Sequence, residues 1–423
     1  MSATLGSRSA LALTSILLLV ASACASDRID APTARLDNAS GGRGVFQRYF
    51  AIGTSVSAGV QGDGLIAATQ ETSWPAQLAA MSGRTLSLPL IDGTGCRSPF
   101  VAPLASGIRL SGEAAGTDAA LLGCSPLQAG VTLPVDNVAL NGARATDALG
   151  TTPENILDLG NAKIYGRVLE PGQTQVSTMM ARNPKLVSIE LGGNEVLDAR
   201  SGIAIPGVDL AIFSDFTTAY DAILDSVQKV TKMAVVVGLI DDLGHVASFR
   251  TGDELWADRA EFLAFNVSVS NDCQGSANLI FVPFRVPVAV GTGVALAQQG
   301  AGPFIFSCAA GGPGDKDFVL TPAEVGIVNT EMHDITAHIH DQATLRGFAY
   351  FALGDLYDRN DVKPAFSVVS VMTTAAPYGP YFSLDGLHPS AAVQTVLARA
   401  SARHQNGWTY SLARCYSRYV KPG

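Results

Sequence analysis

The sequence predicts a three-layer α/β/α fold: a central parallel sheet of about five strands, helices on both faces, and two insertions on the rim. Three observations lead there. Short apolar runs, each ended by Gly or a polar turn, recur at 49–52, 137–140, 186–191, 234–239 and 348–351. Between them lie stretches whose apolar residues fall three or four apart. The two kinds of segment alternate, which is the pattern of parallel strands joined by helical crossovers.

The helical stretches have their own signals. From Phe213 to Val230, residues Phe216, Tyr220, Ile223, Leu224 and Val227 line one face. Another runs over 74–81 and a last one over 389–402. A helix over 321–345 opens with Thr321-Pro322-Ala323-Glu324, which supplies a cap, a Pro in the first turn and an acid for the cap's own amide. Residues 90–135 and 250–318 do not fit the alternation. They are rich in Gly, Pro and Ser and read as insertions.

The N-terminus reads as an export signal over 1–23. Arg8 precedes a run of about a dozen mostly apolar residues, too short for a stable membrane span, which needs roughly 20. Val20-Ala21-Ser22-Ala23-Cys24 resembles the lipobox of bacterial lipoproteins, which implies that Cys24 carries a lipid, although Ala21 stands where Leu is usual. Ordinary cleavage after Ala23 and free secretion is the alternative. Residues 24–45 lack an apolar period and suit a tether, leaving 46–423 as the folded domain. The expected location is the cell envelope or the medium, with any membrane attachment made through the N-terminal lipid.

Composition narrows the function. Apolar residues make up 47% of the 423 and charged residues 15%, so a large core is available. A net charge of −9 with no basic stripe argues against a nucleic-acid partner. Besides Cys24, the cysteines are Cys96, Cys124, Cys273, Cys308 and Cys415. Nearest-neighbour pairing would give Cys96–Cys124 and Cys273–Cys308, each closing one insertion and leaving Cys415 unassigned. No CxxC spacing suggests a zinc site. His333, His338 and His340 look like a metal cluster, but the spacing puts His338 and His340 apart on a helix, and a solvated helix face is the simpler reading.

Four short motifs carry chemistry. Ser55 follows the first strand in Gly53-Thr54-Ser55, a place where an open α/β sheet binds ligands, although a serine there is usually a turn or cap residue. Asp385-Gly386-Leu387-His388 can set a carboxylate on one imidazole nitrogen and leave the other to take a proton from a hydroxyl. Gly192-Gly193-Asn194-Glu195 ends the third run, where an Asn amide can donate to a developing oxyanion. Gly142 follows the second run and can offer a backbone N–H to the same oxyanion. Each has a bland reading as an ordinary turn.

In chain order the four give Ser55, Gly142, Asn194 and His388, and this resembles the SGNH (GDSL-like) hydrolase family, whose blocks carry Gly-Asp-Ser, Gly, Gly-x-Asn-Asp and Asp-x-x-His. Ser73-Trp74-Pro75-Ala76-Gln77-Leu78 and Pro184-Lys185-Leu186-Val187 add smaller matches. The resemblance covers roughly 46–402. Thr54 and Glu195 depart from it, each standing where Asp is usual. It implies a flavodoxin-like sheet and hydrolysis of a carboxylic ester through an acyl-enzyme, without cofactor or metal, in a probable monomer. Ser55 would be the nucleophile, His388 the base and Asp385 its orienter. The oxyanion hole would be Ser55, Gly142 and Asn194. Lipids, short-chain esters and acetylated sugars all fall within the implied substrates. Two alternatives remain: a non-catalytic surface-binding lipoprotein on the same scaffold, and a metal-dependent hydrolase.

Overall fold

Strand β1 (Tyr49–Gly53), β2 (Leu186–Glu190), β3 (Ala234–Gly238) and β4 (Ala349–Ala352) form one parallel sheet in that order. The computed structural model describes residues 42–405 except 313, 358, 360 and 361. The expected export signal over 1–23, Cys24 and Cys415 lie outside the described residues. Every residue of β1, β2 and β3 is buried, as a strand covered on both faces requires, and this is why these segments read as continuous apolar runs.

The second run differs from its expected form. Residues 137–140 lie along β1, bonded from Val138 N to Ala51 O at 3.0 Å and from Leu140 N to Gly53 O at 3.0 Å. Only the Ala51–Asn137 pair makes a ladder bridge, so the regular sheet has four strands and an irregular fifth edge. One reason is local: the Asn137 side chain accepts from Ala139 N at 3.1 Å and donates to Ser57 O at 2.9 Å, turning this segment toward β1's carboxyl end. The chain thus leaves β1 to one side and returns to the other as β2. Open sheets of this kind have their crevice at that switch.

Helices cover both faces. On one, α2 (Trp74–Met81) and α7 (Ala391–Gln405) pack together against β3 and β4, with the buried Trp74 edge-on to Phe351. On the other lie α3 (Ala145–Gly150), α4 (Gln175–Arg182), α5 (Phe213–Val230) and α6 (Pro322–Arg346). Phe216, Tyr220, Ile223, Leu224 and Val227 of α5 are all buried, each contributing about 2 kcal/mol of transfer free energy. The capping box at Thr321 forms as expected, Glu324 accepting from Thr321 N at 2.8 Å. After β1, α1 (Ser55–Ala58) is a single turn that begins at Ser55.

The insertions are more structured than their composition suggested. Both nearest-neighbour disulfides form, Cys96–Cys124 and Cys273–Cys308. Closing loops of 28 and 35 residues stabilises by about 3.5 kcal/mol each in the chain-entropy account. The second insertion holds a 17-residue helix, Val282–Gln298, with Pro in its first turn and another at Pro287. One of its two glycines serves packing: a Cβ on Gly293 would come within 2.6 Å of Phe265 O. Among the described residues no helix is long and apolar enough to cross a membrane.

Candidate active site

The register of the sheet sets the site. Gly53 pairs with Glu190, and Leu140 N bonds to Gly53 O, so three strand ends stand level. Ser55 lies two residues past the first, Gly142 two past the second and Asn194 four past the third. The loops behind them are tied together. Asn194 Nδ2 donates to Ala143 O at 2.8 Å, Arg144 Nε donates to Asn194 O at 3.2 Å, and Ala145 N donates to Glu195 Oε1 at 2.7 Å. One N–H of the Asn194 amide is spent on Ala143, which leaves the second for a ligand. Gly142 has φ +75°, and a Cβ there would lie 2.6 Å from Asn161 Nδ2, so the turn requires glycine.

The acid–base turn is closed on itself. Asp385 Oδ2 meets His388 Nδ1 at 2.8 Å, and Oδ1 accepts from His388 N and Leu387 N, both at 2.9 Å, and from Ser383 Oγ at 3.0 Å. A fifth donor, Asp63 N, reaches Oδ2 at 2.5 Å. Burial pushes the Asp385 carboxyl up, but the charge and hydrogen bond of His388 and the backbone donors hold it well below the usual carboxylate range. Burial pulls His388 down, yet the Asp385 charge and hydrogen bond leave it raised above its ordinary value of 6.5. Asp63 adds to the rise and Arg200 opposes it, which puts both charges within electrostatic reach of the imidazole.

Three hydrogen bonds join this turn to the Ser55 segment. Gln394 Nε2 of α7 donates to Val56 O at 3.0 Å, Gly62 N donates to Ser383 Oγ at 3.0 Å, and the third is Asp63 N to Asp385. Ser55 is 6% exposed and His388 8%, so each keeps only a small part of its surface open to solvent. The Ser55 hydroxyl makes no hydrogen bond among the described residues, and Asp385 engages only the Nδ1 side of His388.

Two residues of the site, Asp63 and Glu190, were not singled out in the sequence. Asp63 braces Asp385 and is itself held by Arg97 at 3.2 Å and Arg109 at 2.7 Å, both from the first insertion. Glu190 holds the turn around Ser55. Its signal was present, since a carboxylate interrupts an otherwise apolar strand. Glu195, buried with one oxygen unpartnered, is pushed up to about 7 by desolvation against the pull of Ala145 N.

Of the α6 histidines, His333 and His340 lie on the solvated face expected, while His338 is half-buried. His338 sits among Phe213, Phe216 and Tyr220 with Nε2 2.9 Å from Asp221, and His340 packs edge-on to Tyr350. The one metal-like cluster among the described residues, Asp272 with Cys273 and Cys308, has its sulfurs joined in a disulfide.

No protein-family model matches this chain, and no curated protein matches it. Among solved structures, the extracellular lipase of Streptomyces rimosus is similar over 84% of this chain and 98% of its own, at 14% identity and a TM-score of 0.37.

Proposed function

We propose that this chain is an exported serine hydrolase of the SGNH type that cleaves carboxylic esters through an acyl-enzyme. The observation that carries this reading is the Asp385–His388 pair: a fully hydrogen-bonded carboxylate on Nδ1, beside the turn that bears Ser55. Nδ1 then keeps its proton, so Nε2 is the basic nitrogen. In the proposed first step the Ser55 oxygen attacks the ester carbonyl as His388 Nε2 takes its proton. The imidazolium is stabilised by Asp385 and returns the proton to the leaving alcohol. Water repeats the sequence and releases the acid. The Ser55 and Gly142 N–H groups and the Asn194 amide would receive the oxyanion, a donor of this kind being worth ~3 kcal/mol of barrier.

The two disulfides suit an oxidising compartment, in keeping with export. A lipid on Cys24 would tether the domain to the envelope. We place no metal or cofactor in the reaction, because an oriented Ser, His and carboxylate suffice for ester hydrolysis. The substrate is a lipid, a short-chain ester or an acetylated sugar. A series of p-nitrophenyl esters from acetate to palmitate, with acetylated xylan alongside, tests this. Hydrolysis by the wild type and its loss in Ser55→Ala is expected. Equal rates for the two proteins, or none for the wild type on any ester, would overturn it.

A further inference from the structure

Four hydrogen-bond donors around Ser55 converge on one carboxylate that the mechanism above does not use. Glu190, the last residue of β2 and fully buried, accepts from Thr54 N at 3.1 Å and from Thr54 Oγ1 at 2.7 Å. It accepts from Ser57 N at 3.2 Å and from Ser57 Oγ at 3.0 Å. Trp74 Nε1 donates to Ser57 Oγ at 3.1 Å, so the Ser57 hydroxyl has its own proton to give to Glu190. Every one of these partners is a donor. With the two amides and both hydroxyls donating as they are placed, the arrangement suits a carboxylate. Burial pushes the Glu190 pKa up, against the pull of Thr54 and Ser57. Such a buried anion with no ion-pair partner among the described residues is costly unless its hydrogen bonds are complete.

The donors also have a structural meaning. Thr54 is the N-cap of α1 and Ser55 its first residue, yet the Thr54 side chain makes no capping bond. The amide of Ser57, which an Asp or Ser cap would ordinarily take, goes to Glu190 instead. An Asp at 54 could do locally what Glu190 does from the neighbouring strand.

We propose that Glu190 is the positioning residue of the nucleophile turn, a cap supplied from β2 that fixes Thr54 and Ser57 on either side of Ser55 and so aims the Ser55 hydroxyl and N–H into the crevice. The inference rests on the reading of Ser55 as nucleophile. Glu190 touches no reacting atom, so its loss is felt in kcat and in acylation of Ser55 more than in KM.

Glu190→Gln keeps the shape but turns an amide NH2 toward the converging donors. Thr54→Asp/Glu190→Gln returns an acceptor to Ser57 N and gives the Gln NH2 a partner. Both are compared with the wild type for kcat and KM on a p-nitrophenyl ester, for the rate of fluorophosphonate labelling, and for Tm. A misaimed nucleophile can cost about 100-fold, so Glu190→Gln should lose at least about tenfold in kcat and in labelling rate with KM nearly unchanged. The double variant should recover most of that loss. Wild-type kcat and labelling in Glu190→Gln would overturn the proposal. So would a folded double variant as slow as Glu190→Gln or, where the single variant does not fold, a folded double variant at least about tenfold slower than the wild type in kcat and labelling. Labelling of the wild type at a residue other than Ser55 would instead sink the reading of the nucleophile, whatever the Glu190 variants do.

Discussion

The two turns that frame the crevice are held in opposite ways. The acid–base turn carries most of its partners with it: Ser383, Leu387 and His388 all donate to Asp385 from within three residues. The turn that bears Ser55 has only its own backbone bonds, such as Ala58 N to Thr54 O at 2.9 Å, and no local side-chain anchor. Its amides and hydroxyls look across 133 to 136 residues of sequence to Glu190. A self-contained turn depends on its own backbone conformation, and Gly386, at φ +71° with Ser248 Cβ 2.8 Å from where its Cβ would be, shows how tightly that is set. A borrowed turn depends on the sheet's register, since Glu190 faces it only because Gly53 and Glu190 pair.

The sharpest way to break the self-contained turn is Asp385→Asn. The amide offers Nδ1 a donor or a neutral acceptor, so the imidazole loses both its fixed tautomer and its counter-charge. On the proposed mechanism kcat should fall on the order of 10⁴-fold, as it does in known Ser-His-Asp enzymes. The acid limb of the pH–rate profile should also move. In the wild type His388 is raised above 6.5 chiefly by Asp385, so activity should rise with pH through an apparent pKa above 6.5. In Asp385→Asn that limb should drop to lower pH. An unmoved limb with wild-type kcat would show that the pair does not govern the base.

A smaller effect separates the oxyanion side from both turns. Glu195, raised from 4.5 to about 7, binds its proton more tightly in the folded chain than in the unfolded one. For an acid shifted upward, the folded state carries the extra proton between these values, so stability falls as pH rises from about 4.5 to 7. The full effect is at most about 3 kcal/mol. Glu195→Gln can still accept from Ala145 N and has no charge to bury. Denaturant melts at pH 5 and pH 8 should therefore show the variant gaining on the wild type as pH rises. A constant difference across that range would contradict the assignment.

These particulars explain what the sequence could and could not reveal. Strands β1 to β3 were legible because each is buried on both faces and bears few polar side chains. Helix α5 was legible because its buried residues keep a strict helical spacing. The helix Val282–Gln298 was missed because Pro283, Pro287 and two glycines read as loop. There the first Pro fits the first turn and Gly293 admits close packing against Phe265, neither of which composition can distinguish from a turn. Asp385 and His388 were legible as a pair because their geometry is local. Asp63 and Glu190 were not, since what makes them matter is a partner more than a hundred residues away. Thr54, visible only as a departure from the expected Asp, turns out to face the carboxylate on the adjacent strand.

The central claim is that Ser55 is an activated nucleophile. Labelling with a fluorophosphonate, followed by mass spectrometry of the digested protein, tests it most directly. The account predicts a single phosphonylated peptide modified at Ser55, formed by the native wild type, absent from Ser55→Ala and strongly slowed in His388→Ala. No adduct on the native wild type, or equal labelling of Ser55→Ala, would contradict it.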